Sequence, residues 1–236
     1  MRRALVPVVL LFVLASLAAA CGGSDDDVDV TGGSAASSPD DATGTDDTTA
    51  STSSPGGGSV VIWPPTDSPA SDDAAAVAVE FATEFLGIAE AQTTDEDTDA
   101  GCAADVPVTK GPEGATTTVH LAQGDEGCVV IGATSEEIVV DAPGDGADIT
   151  SPIVVHGQAN AFEGTVVVEV RPAGSTEAIG EGFVTGASGE LAPFEGAIDF
   201  ASGTEAGGSG AVVFYAPDES GEGTAISATA VGVRFA

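Results

Sequence analysis

The chain has 236 residues, of which 42% are hydrophobic, 5% are aromatic and 32 are glycine, a composition typical of strands and turns rather than helices. Five lysines and arginines stand against 38 aspartates and glutamates, giving a formal net charge of −33 at pH 7. Such a surface repels nucleic-acid phosphates and anionic lipid headgroups, so no nucleic-acid partner is expected; a basic partner, or solvation without any single partner, fits the charge better.

The first residues, "MRRALVPVVLLFVLASLAAAC", predict a secretory signal peptide over 1–20, because two arginines precede an apolar stretch and then small residues. Two outcomes follow from its end. Ala18-Ala19-Ala20 satisfies the A-x-A cleavage rule, which would release a soluble protein. The same residues resemble a bacterial lipobox, in which Cys21 becomes the lipidated first residue, although Ala18 stands where leucine is usual.

The cysteine count favours the lipid anchor. The chain has three cysteines, Cys21, Cys102 and Cys128, and in an exported protein an odd thiol needs an explanation. Cys102 and Cys128 lie in the predicted folded region and can form a disulfide with each other. We therefore predict lipid attachment, including palmitate, at Cys21, and a location on the extracellular face of the cell membrane.

Residues 21–59 are almost wholly Gly, Ser, Thr, Asp, Ala and Pro. They cannot bury enough apolar area to offset the entropy of ordering, so a disordered acidic linker is predicted. "VVIWPP" at 60–65 then brings the first large apolar residues after the signal peptide. We interpret Trp63 as docking on the core of the following domain, with a surface anchor for a ligand as the alternative.

A small α+β domain is predicted over 60–141. "SDDAAAVAVEFATEFLGIAEA" at 71–91 is typical of a helix, with Ser71 or Asp72 as the N-cap. The helix has one apolar stripe at spacings of four, four and three, formed by Val77, Phe81, Phe85 and Ile88. We expect the stripe to pack on a sheet.

That sheet is predicted from two strands, 116–122 and 128–133, joined by the hairpin loop "QGDEG", with 136–142 as a third strand. A disulfide of Cys102 with Cys128 would clip the preceding acidic loop onto the hairpin and contribute about 3–4 kcal/mol. His120 lies between Val119 and Leu121 and should point to solvent, where we expect no partner for it as a base.

A β-sandwich is predicted over 148–236, because short apolar runs bounded by Gly, Pro, Asp and Ser follow one another without a helical period. In "TVVVEVRP", Val166, Val168 and Val170 alternate with residues of the opposite face. This segment contains no Cys or Trp, so a core of the antibody type is absent.

Two stretches of this segment, "ITSPIVVHGQANAFEGTVVVEV" at 149–170 and "EGFVTGASGELAPFEGAIDF" at 181–200, resemble the immunoglobulin-like domain of bacterial spore-germination proteins. The shared pattern is Ser-Pro, an apolar strand, Gly-x-Ala and Phe-Glu-Gly, followed later by Gly-Pro-Phe. Here Ala192 replaces the last glycine. The whole arrangement is similar to actinobacterial lipoproteins that carry this module.

The resemblance implies an immunoglobulin-like fold outside the membrane and a non-catalytic role in binding a protein or the wall. It also implies that Gly157 and Phe162-Glu163-Gly164 are turn and core residues between two strands, and that His156 ends the first of these strands.

No catalytic residues, cofactor or metal are expected. Neither His120 nor His156 has a nucleophile motif nearby, and "TGASGE" at 185–190 lacks the spacing of a nucleophile elbow. The histidines and cysteines do not cluster as zinc ligands do. "DAPGDGAD" at 141–148 could hold calcium weakly, but its aspartates lack the spacing of a calcium loop, so we interpret it as an acidic turn between domains.

The predicted function is therefore binding or scaffolding in the cell envelope by a surface-anchored lipoprotein. The sandwich loops or an exposed strand edge would contact an envelope protein or the wall. Two alternatives stay open. One is an envelope enzyme or regulatory subunit that acts through 60–141, and the other is a solute-binding lipoprotein with a deep pocket between the two modules.

Overall fold

The computed structural model describes residues 59–93, 101–112, 114–201, 207–218 and 224–236. The predicted signal peptide, Cys21 and the predicted linker up to residue 58 lie outside the described residues. From residue 59 onward the described residues belong to one compact unit. Within it, no helix is long and apolar enough to cross a membrane.

The chain is mainly β, as predicted. A short α-helix is followed directly by a π-helical turn and then by strands, with one 3₁₀ turn among them. In chain order they are α1 Ala74–Glu80, the π-turn Phe81–Phe85, β1 Ala91–Thr93, β2 Asp105–Lys110, β3 Thr116–Gln123, β4 Cys128–Ser135, β5 Ile138–Ala142, β6 Ala147–Ile149, β7 Ile153–Ala159, the 3₁₀ turn Phe162–Gly164, β8 Thr165–Pro172, β9 Gly180–Thr185, β10 Ala192–Ile198, β11 Ser209–Pro217 and β12 Ala225–Phe235.

Most strands follow one hydrogen-bonded path in the order β1-β2-β3-β4-β12-β11-β8-β9. A second layer has the order β5-β7-β10, with both pairs antiparallel. It packs on β8, β11 and β12 through one apolar cluster that includes Val155, Val168, Phe194 and Phe214. These two layers form the predicted sandwich, and β6 adds to β12 in parallel.

Strands β11 and β12 are buried on both faces. On β11, Ala211 and Val213 join the apolar cluster under the helix, while Val212 and Phe214 join the sandwich cluster. A strand covered on both sides has a nearly continuous apolar run instead of an alternating one. The predicted modules 60–141 and 148–236 therefore share strands of one sheet.

The helix is shorter than the predicted range 71–91, and its N-cap is Asp73 rather than Ser71 or Asp72. Asp73 Oδ1 accepts a hydrogen bond from the Ala76 amide at 3.0 Å, and Ser71 Oγ accepts one from the Asp73 amide at 3.2 Å. Asp73 directly precedes the first helical residue, Ala74, so its side chain can reach the amide of the third helical residue, Ala76.

The helix ends at the π-turn, after which Gly87 adopts a φ of +75°, a conformation that ends helices and favours glycine. The predicted stripe is nevertheless confirmed. Its residues Val77, Phe81, Phe85 and Ile88 are all buried in the cluster between the helix and the sheet.

The predicted hairpin is confirmed as β3 and β4, which pair from Thr117 with Ser135 to Gln123 with Cys128. The third predicted strand exists as β5, but its partner differs. It meets β4 at a single pair, Ser135 with Ile138, and pairs along its length with β7. Strand β5 therefore belongs to the second layer of the sandwich.

His156, predicted to end a strand, and Gly157, predicted to lie at the turn, are both inside a strand. Strand β7 continues through His156 and Gly157 to Ala159, so His156 does not end it. A Cβ on Gly157 would lie 2.1 Å from the Val139 carbonyl oxygen and 2.8 Å from the Phe194 ring. Glycine is needed there for the close approach of β5, not for a turn.

The Phe-Glu-Gly segment does form the predicted turn between β7 and β8. Its core assignment is wrong for Phe162, whose exposed fraction is 47%. Gly164 is buried and adopts a φ of +71°, so it makes the turn. The sulfur atoms of Cys102 and Cys128 lie 2.05 Å apart, a disulfide as predicted.

Candidate binding cleft

A cleft of about 490 Å³ lies on the face of the sheet opposite the helix. The helix covers Val119 and Val130, so the side chains that alternate with them on β3 and β4 face the other way. The second layer leaves part of that face open, because β5 separates from β4 after one pair. The cleft forms where the two strands diverge.

The walls of the cleft are largely apolar and come from three strands. Ile131 lines it from β4, Val139 and Val140 from β5, and Val231 from β12, while Pro143 closes one side. The polar side chains at the cleft are fewer: His120, Thr134, Ser135, Asp145 and Thr229. An apolar cleft with a few polar groups is the usual form of a small-molecule site.

His120 has two partners, so the expectation that it lacks one is wrong. Its Nδ1 lies 2.7 Å from Asp105 Oδ1, and its Nε2 lies 2.9 Å from Thr134 Oγ1. Because an ionised carboxylate only accepts, Nδ1–H donates to Asp105, and in the neutral imidazole Nε2 accepts from the Thr134 hydroxyl. Asp105 is the direct cross-strand neighbour of His120, a register that becomes visible only once the strands are paired.

Asp145 lies in the loop between β5 and β6. Loss of solvation raises the pKa of its carboxyl group, an effect that the Gly146 amide hydrogen bond and the charges of Arg234 and His120 oppose but do not cancel. Its Oδ1 lies 3.2 Å from the place that a Cβ on Gly232 would occupy. The carboxylate therefore lies against the backbone of β12 at the edge of the cleft.

The other residues singled out from the sequence lie elsewhere. His156 is half exposed on β7, and its Nδ1 is 4.0 Å from Asp141 Oδ2. Trp63 is buried against Phe81 and Phe85, with ring centroids 6.3 and 5.7 Å away, so the docking interpretation is confirmed. In the described part of the chain, no three acidic, histidine or cysteine side chains are grouped to hold a metal ion.

The three basic side chains of the described residues all make internal contacts. Lys110 pairs with Asp218, Arg171 contacts Glu169, and Arg234 donates to the Gly146 carbonyl. The contacts of Lys110 and Arg234 join segments that are remote in the sequence, whereas Arg171 and Glu169 lie on one strand, β8. The outward charge of this unit is consequently dominated by carboxylates.

Residues 137–222 match the family model Gmad2, described as the immunoglobulin-like domain of bacterial spore germination. We call this segment, which resembles the family over less than half of the chain, the Gmad2 domain. The resemblance predicted from 149–170 and 181–200 is thereby confirmed, and the match begins one residue before β5 and ends before β12. No curated protein and no solved structure matches the chain.

The Gmad2 domain supplies only one side of the cleft. Strand β5 and the Asp145 loop belong to it, whereas β3, β4 and β12 lie outside the matched residues. The cleft is therefore built jointly by the Gmad2 domain and the strands that flank it. Sequence reasoning missed the cleft because no motif marks it; the only local signal was a histidine with threonines around it on a predicted hairpin.

Proposed function

We propose that the protein is a lipid-anchored component of the cell envelope that binds another envelope component through its Gmad2 domain, without catalysing a reaction. The predicted signal peptide and the lipobox-like position of Cys21 support the location and the anchor. The Gmad2 match supports a binding role for the domain.

The observation that supports binding most directly is Phe183 on β9. Its side chain is 72% exposed, the largest exposed fraction among the large apolar residues of the described chain. Strand β9 pairs along its length with β8, and in the described residues its other edge makes an isolated bridge from Gly180 to Phe200. Beyond this bridge the edge has no strand partner, and such an edge beside an exposed aromatic side chain is a surface to which another strand can add.

The charge beside Phe183 indicates the kind of partner. Glu181 lies two residues before Phe183, on the same face of β9, and is exposed. With so few cations left on the surface, a partner strand that carries Lys or Arg would meet complementary charge. We therefore propose that the partner of β9 is a basic envelope protein.

The experiment is a pull-down from envelope extracts with the full lipidated chain in detergent, followed by mass spectrometry. The variant Phe183→Ser should lose the retained protein, and raised salt should weaken retention. Val154→Ser is the matched control, because Val154 is 58% exposed on β7 in the other layer. Equal retention by both variants, or nothing retained by the unaltered chain, would contradict the proposal.

A second candidate function is ester hydrolysis at the cleft, supported by the hydrogen-bonded order Asp105–His120–Thr134. In this arrangement Asp105 has the position of the orienting carboxylate, His120 that of the base and Thr134 that of the nucleophile. Against it, the Ser135 amide, next to Thr134, donates to Thr229 Oγ1 and is not free to stabilise an oxyanion. Hydrolysis of p-nitrophenyl butyrate that disappears in both Thr134→Val and His120→Gln would favour this function over binding alone.

A further inference from the structure

The cleft has the size and the walls of a ligand site. It is separate from the β9 surface that carries Phe183. Its volume of about 490 Å³ lies within the range of small-molecule pockets. Ile131, Val139 and Val231 present apolar atoms to it from three different strands. A ligand with an apolar body would gain about 25 cal/mol for each Å² that it removes from water there.

Most polar groups at the cleft are already satisfied by the protein. The Thr229 hydroxyl donates to the Ile138 carbonyl at 2.6 Å and accepts from the Ser135 amide at 3.1 Å. Ser135 Oγ accepts from the Glu137 amide at 3.2 Å. Within the cleft, these groups shape the wall and have little hydrogen-bonding capacity left for a ligand.

Asp145 is different, because an ionised carboxylate has about four acceptor positions, whereas the amide of Gly146 beside it donates to the Gly232 carbonyl at 2.8 Å. Arg234 lies near Asp145 but is not among the residues that line the cleft, and its Nη1 donates to the Gly146 carbonyl. The polar end of the cleft therefore offers acceptors, and the group that best fits them is a donor.

The charge of the protein determines which sign of charge on a ligand is attracted to the cleft. The net charge of −33 repels anions, and the basic side chains of the described residues make internal contacts. A cation is attracted to the same surface. An ammonium group, with three donors and a positive charge, complements both Asp145 and the surrounding potential.

We propose that this cleft binds a small organic amine, with an apolar body lying against Ile131, Val139 and Val231 and an ammonium group held by Asp145. His120, whose ring is held by Asp105 and Thr134, forms the polar wall of the cleft.

The test uses the full chain and three probes that share one apolar body: 2-phenylethylamine, 2-phenylethanol and 3-phenylpropanoate, with n-hexylamine as a second body shape. Affinity is measured by titration in two-dimensional amide NMR. The amines should bind most tightly, the alcohol about tenfold more weakly because a charge-assisted hydrogen bond is lost, and the carboxylate not at all. The shifted amides should be those of the cleft-lining strands.

Asp145→Asn should reduce amine affinity to that of the alcohol and leave the alcohol unchanged. Asp148→Asn is the matched control, because Asp148 is an exposed aspartate on β6 outside the cleft. Val139→Trp should fill the cleft and abolish binding of the amine and the alcohol, whereas Val154→Trp should not. If Val139→Trp does not fold, the comparison of the two aspartate variants decides alone.

Three results would overturn the proposal: no saturable binding of either amine, equal affinity for amine and carboxylate, or an amine affinity that Asp145→Asn leaves unchanged. Loss of binding in the pull-down with Phe183→Ser bears on β9 alone, so the two proposals can fail separately.

Discussion

Arg171 on β8 donates a hydrogen bond from Nη1 to the backbone carbonyl of Phe85, at the end of the π-turn. The last carbonyls of a helix have no partner within it, so this side chain satisfies one of them. The guanidinium also lies 5.4 Å from the centroid of the Phe85 ring, and its Nε donates to Glu169 Oε2 at 2.6 Å. One arginine thus joins the helix to a strand of the Gmad2 domain.

Replacing this arginine should destabilise the whole unit. Arg171→Met leaves Glu169, whose exposed fraction is 7%, without its cationic partner and should cost about 3–5 kcal/mol. The free energy of unfolding is measured in urea from the fluorescence of Trp63, the only tryptophan. Adding Glu169→Gln to Arg171→Met should recover part of the loss.

Lys110→Met is the matched control, because the side chains of Lys110 and Asp218 are 26% and 20% exposed and solvent screens their pair more. We expect a loss of about 1 kcal/mol or less for this variant. Equal losses for the two variants would show that the contact with Phe85 and Glu169 adds nothing beyond an ordinary surface ion pair.

Tyr215, the only tyrosine, should lose its phenolic proton at a higher pH than an exposed tyrosine does. Burial, and secondarily the adjacent Glu169 carboxylate that accepts its hydroxyl hydrogen bond at 3.1 Å, raises the pKa of Tyr215 to about 12. An alkaline titration followed by the absorbance of the phenolate should give this value in the folded protein and a value near 10 after unfolding. Glu169→Gln should bring the folded pKa closer to 10.

The difference between the folded and unfolded pKa values of Tyr215 makes the free energy of unfolding depend on pH. Between the unfolded and folded pKa values the unfolded chain loses its phenolic proton first, so the free energy of unfolding should fall as pH rises from about 10 toward 12. Tyr215→Phe should remove this part of the pH dependence. A fall of the same size in the phenylalanine variant would assign it to other groups.

Gly157 should not tolerate a side chain. In Gly157→Ala the new Cβ would meet the Val139 carbonyl and the Phe194 ring, and relieving that overlap should cost about 1–3 kcal/mol. Gly144→Ala is the control, because a Cβ there meets nothing within 4 Å and the residue does not have a positive φ. Thermal unfolding compares the two; an unchanged midpoint for Gly157→Ala would mean that β5 and β7 are not held as close as described.

Cys21 should carry the lipid. In cells fed an alkyne analogue of palmitate, the unaltered chain should become labelled and partition into detergent, whereas Cys21→Ser should do neither. Cys102→Ser should leave the labelling intact, since it changes only the disulfide. Release of the unaltered chain with an unmodified N-terminus would favour cleavage by the A-x-A rule instead.

The features that local periodicity determines were predictable. The stripe of Val77, Phe81, Phe85 and Ile88 and the hairpin of β3 with β4 both follow from spacings within a few residues. The Gmad2 domain was visible in its turn motifs. The family match begins at 137 and includes β5, which the acidic turn separates from the Ser-Pro motif and from the predicted sandwich at 148–236.

The candidate sites were not predictable, because they depend on which strands are neighbours. Asp105, His120 and Thr134 come together only through the pairing of three strands, and the cleft exists because β5 leaves β4 after one pair. The register shift between His120 and Leu121 and the departure of β5 from β4 leave no local motif in the sequence. The exposure of Phe183 depends likewise on β9 lying at an edge.

The position of β12 also constrains how the molecule folds during synthesis. This strand lies between β4 and β11, and its residues complete the apolar clusters on both sides of the sheet. Ile88 therefore meets its bridge partner Ala225 only late in synthesis, and both clusters stay incomplete until β12 has left the ribosome. Folding with such distant pairings is slow, and until it is complete the nascent chain exposes strand edges that need protection from aggregation.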